Sequence, residues 1–151
     1  MKRLSIIFIS LILVFSSITP ALAAGQDREI IWHQETPLGN GLIMIDEVSV
    51  QSQTRSTNKD YTRTKVISDG NKTLAIICLY GVFRYDGKTV SVVSKSVTQA
   101  DTYEGWSYKQ NSLTSSGGTI ALDAKLTKLL VASIPVDMTL SCDKDGNISY
   151  T

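Results

Sequence analysis

The sequence predicts an all-β fold: an antiparallel two-sheet sandwich of immunoglobulin-like architecture, built from about seven or eight short strands. Three observations predict it. Most of the chain beyond residue 41 alternates apolar and polar side chains with the period of two that a half-buried strand requires. Clusters of Gly, Asn, Asp and Ser interrupt these runs where hairpins need turns. Only Lys125–Ala132 has a spacing compatible with a helical turn, and the spacing leaves helix and strand open there.

The first element is an address. Lys2 and Arg3 precede an almost wholly apolar run from Leu4 to Ile18, and Pro20 with Ala21-Leu22-Ala23 gives the small–x–small pattern of a cleavage site. Residues 1–23 are therefore expected to be a signal peptide, cut after Ala23 or after Ala24. The mature chain is expected to be secreted and to have no membrane span. Residues 24–41 read as an N-terminal extension and 42–151 as the β-sandwich domain.

Within that domain, Leu42–Val50 is a strand candidate after the Gly39-Asn40-Gly41 turn, and Tyr61–Ile67 is a second, ended by Asp69-Gly70-Asn71. Gln51–Lys59 between them reads as a polar loop or edge strand. Residues 73–85 are apolar on both faces, which suits a central strand, and 88–97 are similar but more polar. Asp86-Gly87 is the pair a two-residue type I′ hairpin requires. That turn would set Tyr85 opposite Lys88, Phe83 opposite Val90, Gly81 opposite Val92 and Leu79 opposite Ser94, with Cys78 on the other face. A polar strand follows from Tyr103 to Leu113, then a turn at Ser115–Gly118. Thr119–Leu126 and Val136–Cys142 alternate cleanly, and Asp143–Asn147 closes a last hairpin onto Ile148–Tyr150.

A length of 151 residues suits one domain. With 15 Lys+Arg against 14 Asp+Glu the chain is no polybasic nucleic-acid binder, and loss of Lys2 and Arg3 would leave 13 against 14, a formal charge of −1. Two cysteines stand 64 positions apart in a chain addressed to an oxidising compartment. They are expected to form one disulfide, Cys78–Cys142, with two free buried thiols as the alternative. Trp106 comes 28 positions after Cys78, later than the core Trp of antibody domains, so the sandwich architecture is expected without membership of that family.

Leu79-Tyr80-Gly81-Val82-Phe83-Arg84-Tyr85-Asp86-Gly87-Lys88-Thr89 resembles an L-x-G-x-F-x-Y-D-G-K-T pattern of small secreted proteins of Gram-positive bacteria whose function is unknown. Leu140–Ser149 is similar to the closing hairpin of the same kind of protein. The resemblance implies a signal peptide followed by one sandwich, and it carries no catalytic residues to transfer.

Candidate sites are sparse. Tyr103, Trp106 and Tyr108 lie in a polar segment with Glu104, Gln110 and Asn111, the combination with which an aromatic platform stacks on sugar rings while amides and carboxylates read hydroxyls. The competing reading makes Trp106 a plug of the sandwich core. Asp143-x-Asp145-Gly146-Asn147 has closely spaced oxygens of the kind calcium favours, yet lacks the distal bidentate carboxylate, so a tight turn is expected instead. The lone histidine, His33, reads as solvent-facing. Asp27, Glu29, Glu35, Asp46 and Glu47 form no recognisable acid–base pair. No catalytic residue, metal or cofactor is expected. The sequence thus predicts a non-catalytic binding or surface-interaction module for a cell-wall glycan or an extracellular protein, with no nucleic acid as partner. An extracellular inhibitor or hydrolase, or a structural part of an extracellular assembly, are the alternatives.

Overall fold

Among the described residues, alternation of side chains along ten strands builds two antiparallel sheets: β1 (Arg28–Gly39), β2 (Leu42–Gln51), β3 (Asn58–Asp69), β4 (Lys72–Tyr85), β5 (Val90–Thr102), β6 (Trp106–Ser116), β7 (Thr119–Lys128), β8 (Ala132–Pro135), β9 (Met138–Cys142) and β10 (Ile148–Tyr150). The computed structural model describes residues 28–51, 58–129 and 132–151. The expected signal peptide and most of the polar loop after Gln51 lie outside the described residues. Among the described residues no helix is long and apolar enough to cross a membrane.

Sheet I runs β1-β2-β3-β4-β5, and sheet II runs β10-β9-β7-β6 with β8 beside the second half of β7. Neighbours in sequence are neighbours in space almost throughout, so the arrangement is a meander. Among the described residues there are about ten strands rather than seven or eight, and their order shows no Greek-key exchange between sheets of the immunoglobulin kind, which corrects that part of the expectation. The apolar interior lies between the sheets. Ile77, Leu79 and Phe83 of β4 meet Ile120 and Leu126 of β7 and Leu140 of β9, all fully buried. At such contacts each buried aliphatic or aromatic side chain contributes roughly 1.5–3 kcal/mol.

Arg28–Gly39, expected as an extension, is the edge strand of sheet I. A bulge between Ile30 and Trp32 puts three apolar residues in succession and hides the period of two, which is why the segment does not read as a strand. The short strand β8 and the end of β7 occupy the stretch for which helix and strand were left open.

The β4–β5 register also differs from expectation. Asp86-Gly87-Lys88-Thr89 forms a longer loop, in which Asp86 Oδ1 accepts from the amides of Lys88 and Thr89 at 2.9 and 2.7 Å. Those bonds, Thr89's first, hold the Asp86 carboxyl below its ordinary pKa. Tyr85 consequently faces Val90 and Phe83 faces Val92. Beside the turn the slip is two residues, so Val90 and Val92 stay on the expected face, and past the bulge between Val82 and Phe83 it is three, with Gly81 facing Lys95 and Leu79 facing Val97. Gly118 marks a close approach between β7 and β9: a Cβ there would lie 2.3 Å from the carbonyl oxygen of Cys142.

Two side contacts close the sandwich. Trp32 of β1 stacks on Tyr150 of β10 with centroids 4.5 Å apart, and Lys95 of β5 donates to Ser115 of β6 at 2.7 Å.

Candidate functional site

Three places concentrate polar chemistry: a charged cluster between the sheets and the outward face of each sheet. The cluster grows from the inward side of β2 and β3. Asp46 and Lys65 are cross-strand partners, and Arg63 stands two residues from Lys65, so all three side chains point toward sheet II. Arg63 holds Asp46 in a bidentate pair, Nε–Oδ1 at 2.9 Å and Nη2–Oδ2 at 2.6 Å, with both residues buried. Its Nη1 donates to the carbonyl oxygens of Thr139, at 3.0 Å, and Thr151. Lys65 donates to the carbonyl oxygen of Asp137 at 2.6 Å, and burial pulls its pKa below that of an ordinary lysine. The cluster is an ionic strut that fastens the last strands of sheet II to the middle of sheet I. Its polar groups are spent on one another, the arrangement buried charges require.

On the outward face of sheet I, one cross-strand row places His33, Glu47, Thr64, Cys78 and Gln99 side by side. His33 Nδ1 meets Glu47 Oε1 at 2.9 Å, and Cys78 Sγ lies 3.5 Å from both Thr64 Oγ1 and Gln99 Oε1. Cys142, in contrast, points into the core from β9 beside Gly118. The two cysteines therefore lie on opposite sides of sheet I, and both are free. The expected Cys78–Cys142 disulfide is not formed, because Cys78 alternates out of phase with the core residues Ile77 and Leu79. Burial pushes both thiols up in pKa, away from the thiolate form.

The three expected ligand-binding aromatics do not form a platform. Trp106 is 6% exposed and belongs to the core, so its ring offers no stacking face to solvent. Lys128 stands 5.9 Å from its ring centroid, and the indole Nε1 has no hydrogen-bond partner among the described residues. Tyr108, two residues on, packs against the same core, whereas Tyr103 in the β5–β6 connection is exposed. At the β9–β10 turn, Asp143 accepts from the backbone of Asp145 and Asn147 and from the Asn147 side chain, at 2.8–2.9 Å. The Asn147 bonds hold its carboxyl below the usual range. The Asp143 oxygens are spent inside the turn, and Gly146 takes the left-handed φ of +84° against the Tyr85 ring.

The outward face of sheet II is dominated by Ser and Thr, with a lysine pair, one Asp, one Ala and one Pro among them. Its rows read Ser107–Thr127–Ser133, Lys109–Lys125–Pro135, Ser112–Asp123, Thr114–Ala121–Thr139 and Ser116–Thr119–Ser141–Ser149. Hydroxyls stand on neighbouring strands roughly 4.8 Å apart in the Ser107–Thr127–Ser133 and Ser116–Thr119–Ser141–Ser149 rows, and recur every second residue along β6 from Ser112 to Ser116. All of these side chains are exposed or half-buried. Asn111 donates to Asp123 at 2.8 Å and Thr119 shares a 2.9 Å bond with Ser141. Sequence reasoning missed this face. The signal was present in β6, where Ser107, Lys109, Ser112, Thr114 and Ser116 alternate with Trp106, Tyr108 and Leu113, until the bulge near Asn111 shifts the phase.

Comparison with family models, with curated proteins and with solved structures finds no match to this chain.

Proposed function

We propose that the chain is a secreted, non-catalytic binding or surface-interaction module that engages a cell-wall glycan or an extracellular protein. The observation that carries this reading is the outward face of sheet II, an exposed to half-buried set of Ser and Thr hydroxyls around a lysine pair. Each Ser or Thr both donates and accepts hydrogen bonds, which suits reciprocal pairing with sugar hydroxyls or with a polar protein surface. The inter-sheet strut supports the same reading, since it makes the face a fixed plate and so lowers the ordering cost of binding. Secretion is supported by the leader-like residues 1–23 and by the hairpin resemblance.

Assembly through the free edge of β1 is carried less well. Ile30 and Ile31 are exposed there, yet the bulge beside them and Pro37 are features that oppose strand addition. The test is retention of the purified mature chain on cell-wall material and on a glycan array, with cross-linking to extracellular proteins in parallel. Saturable binding at roughly millimolar affinity or tighter, about −4 kcal/mol, is expected. Absence of binding to all three would overturn the proposal.

A further inference from the structure

Within sheet II's outward face, one row breaks the pattern of neutral hydroxyls. Lys109 of β6 and Lys125 of β7 are direct cross-strand partners. Like charges in that relation destabilise a sheet, whereas a hydroxyl in either place would continue the rows around them. Neither ammonium has an ion-pair or hydrogen-bond partner among the described residues. The next row contributes Asp123, whose carboxylate is held by Asn111 at 2.8 Å and so is directed along the sheet. The face thus presents two free cations in a field of hydroxyls, with one tethered acid beside them.

We infer that this face binds an anionic polysaccharide, a sugar polymer bearing carboxylates. The inference rests on the proposed binding role and adds to it the surface and the ligand class. The charge complementarity is local: the lysine pair receives a carboxylate from the polymer, which removes the mutual repulsion of the two ammoniums. Ser107, Thr127, Ser112 and Thr114, on the rows to either side, exchange hydrogen bonds with the flanking sugar hydroxyls. Asp123 accepts from those hydroxyls.

The probe is polygalacturonate, a carboxylated sugar polymer, tested against the full mature chain by affinity electrophoresis and calorimetry at low ionic strength. Neutral dextran and polyglutamate serve as comparisons. Binding to polygalacturonate is expected to weaken as salt rises, and to fall about tenfold in the Lys109→Gln/Lys125→Gln double variant. Both substitutions lie on the strand surface, and circular dichroism checks the fold. Glu47→Gln on sheet I is expected to change nothing. Dextran is expected to bind far more weakly, since it lacks the charge, and polyglutamate likewise, since it lacks the hydroxyls. Failure of polygalacturonate to bind, equal binding by the double variant, or equal binding of polyglutamate would overturn the inference. Retention on another glycan or on a protein, unchanged in the double variant, would remove the inference and leave the proposed function standing.

Discussion

The two outward faces of this sandwich come from the same period-two alternation and end in opposite states. On sheet I the centre is closed: Thr62, Thr64, Val66 and Cys78 are 3–7% exposed although none of them belongs to the core cluster. On sheet II the corresponding side chains stand open. Side-chain height accounts for the difference. The small central residues of sheet I are fenced by tall neighbours that also bond to them or near them: Arg28 to Thr62, Gln99 to Cys78, and Tyr80 to Asp60 at 2.9 Å. Sheet II's rows are short throughout, so nothing shades the hydroxyls and only Lys109 and Lys125 rise above them. Short side chains among short neighbours leave a polar strand face open to solvent, and short side chains among long ones are sealed from it.

The largest expected effect breaks the plate that carries the comparison. Arg63→Met removes both bonds to Asp46 and those to Thr139 and Thr151, leaving buried Asp46 with only the Lys65 ammonium at 3.8 Å. A loss of about 3–5 kcal/mol is expected from denaturant unfolding. Replacing Asp46 and Arg63 together by apolar residues of similar volume should cost less than Arg63→Met alone.

Next comes a matched pair that tests the two faces directly. Cys78→Asp places an unpartnered acid in the closed face, with an expected loss of about 1–3 kcal/mol beyond that of Thr114→Asp on the open one. Equal losses would show that the faces are equally solvated.

A third measurement concerns the inward side of β3, behind the closed face. The Tyr61 phenol is pushed up to about 12, chiefly by burial, and donates to the carbonyl oxygen of Gly146 at 3.3 Å. The folded protein keeps this proton where the unfolded chain releases it, near about 10. The stability it contributes is full below about 10 and is lost as pH rises through about 12. Lys65, shifted downward by burial, acts with the opposite sign, so the informative quantity is the difference between wild type and Tyr61→Phe. Over that interval the variant is expected to lose less stability than wild type.

The smallest effect sharpens the open face. Lys125→Thr relieves the repulsion from Lys109 and extends the hydroxyl rows, so the free protein is expected to gain about 0.2–1 kcal/mol. A loss of stability would show that the lysine pair serves packing.

Much of the architecture was legible because strands with one buried face write their period into the sequence. β2, β4, β7 and β9 lie within a residue or two of where alternation and turn residues put them. What failed did so locally. β1 was hidden by its bulge, β8 by its length of four residues, and the β4–β5 register by a loop that Asp86 organises as four residues rather than two. The disulfide was inferred from the compartment and the even count of cysteines, and neither argument carries the phase that puts Cys78 on one side of sheet I and Cys142 on the other. The site was less legible than the fold. Trp106 was readable as platform or as plug, with the plug favoured, because a polar strand around an aromatic residue is compatible with both. The hydroxyl face exists only once β6, β7 and β9 are paired, so no single run of residues announces it.

Amide chemical-shift mapping of the mature chain during titration with polygalacturonate tests the central claim most directly. The account predicts saturable shifts concentrated at Lys109, Lys125 and the flanking Ser and Thr of β6 and β7, with the Thr64 and Cys78 amides of sheet I unmoved. Shifts confined to sheet I or to the β1 edge, with sheet II silent, would contradict it.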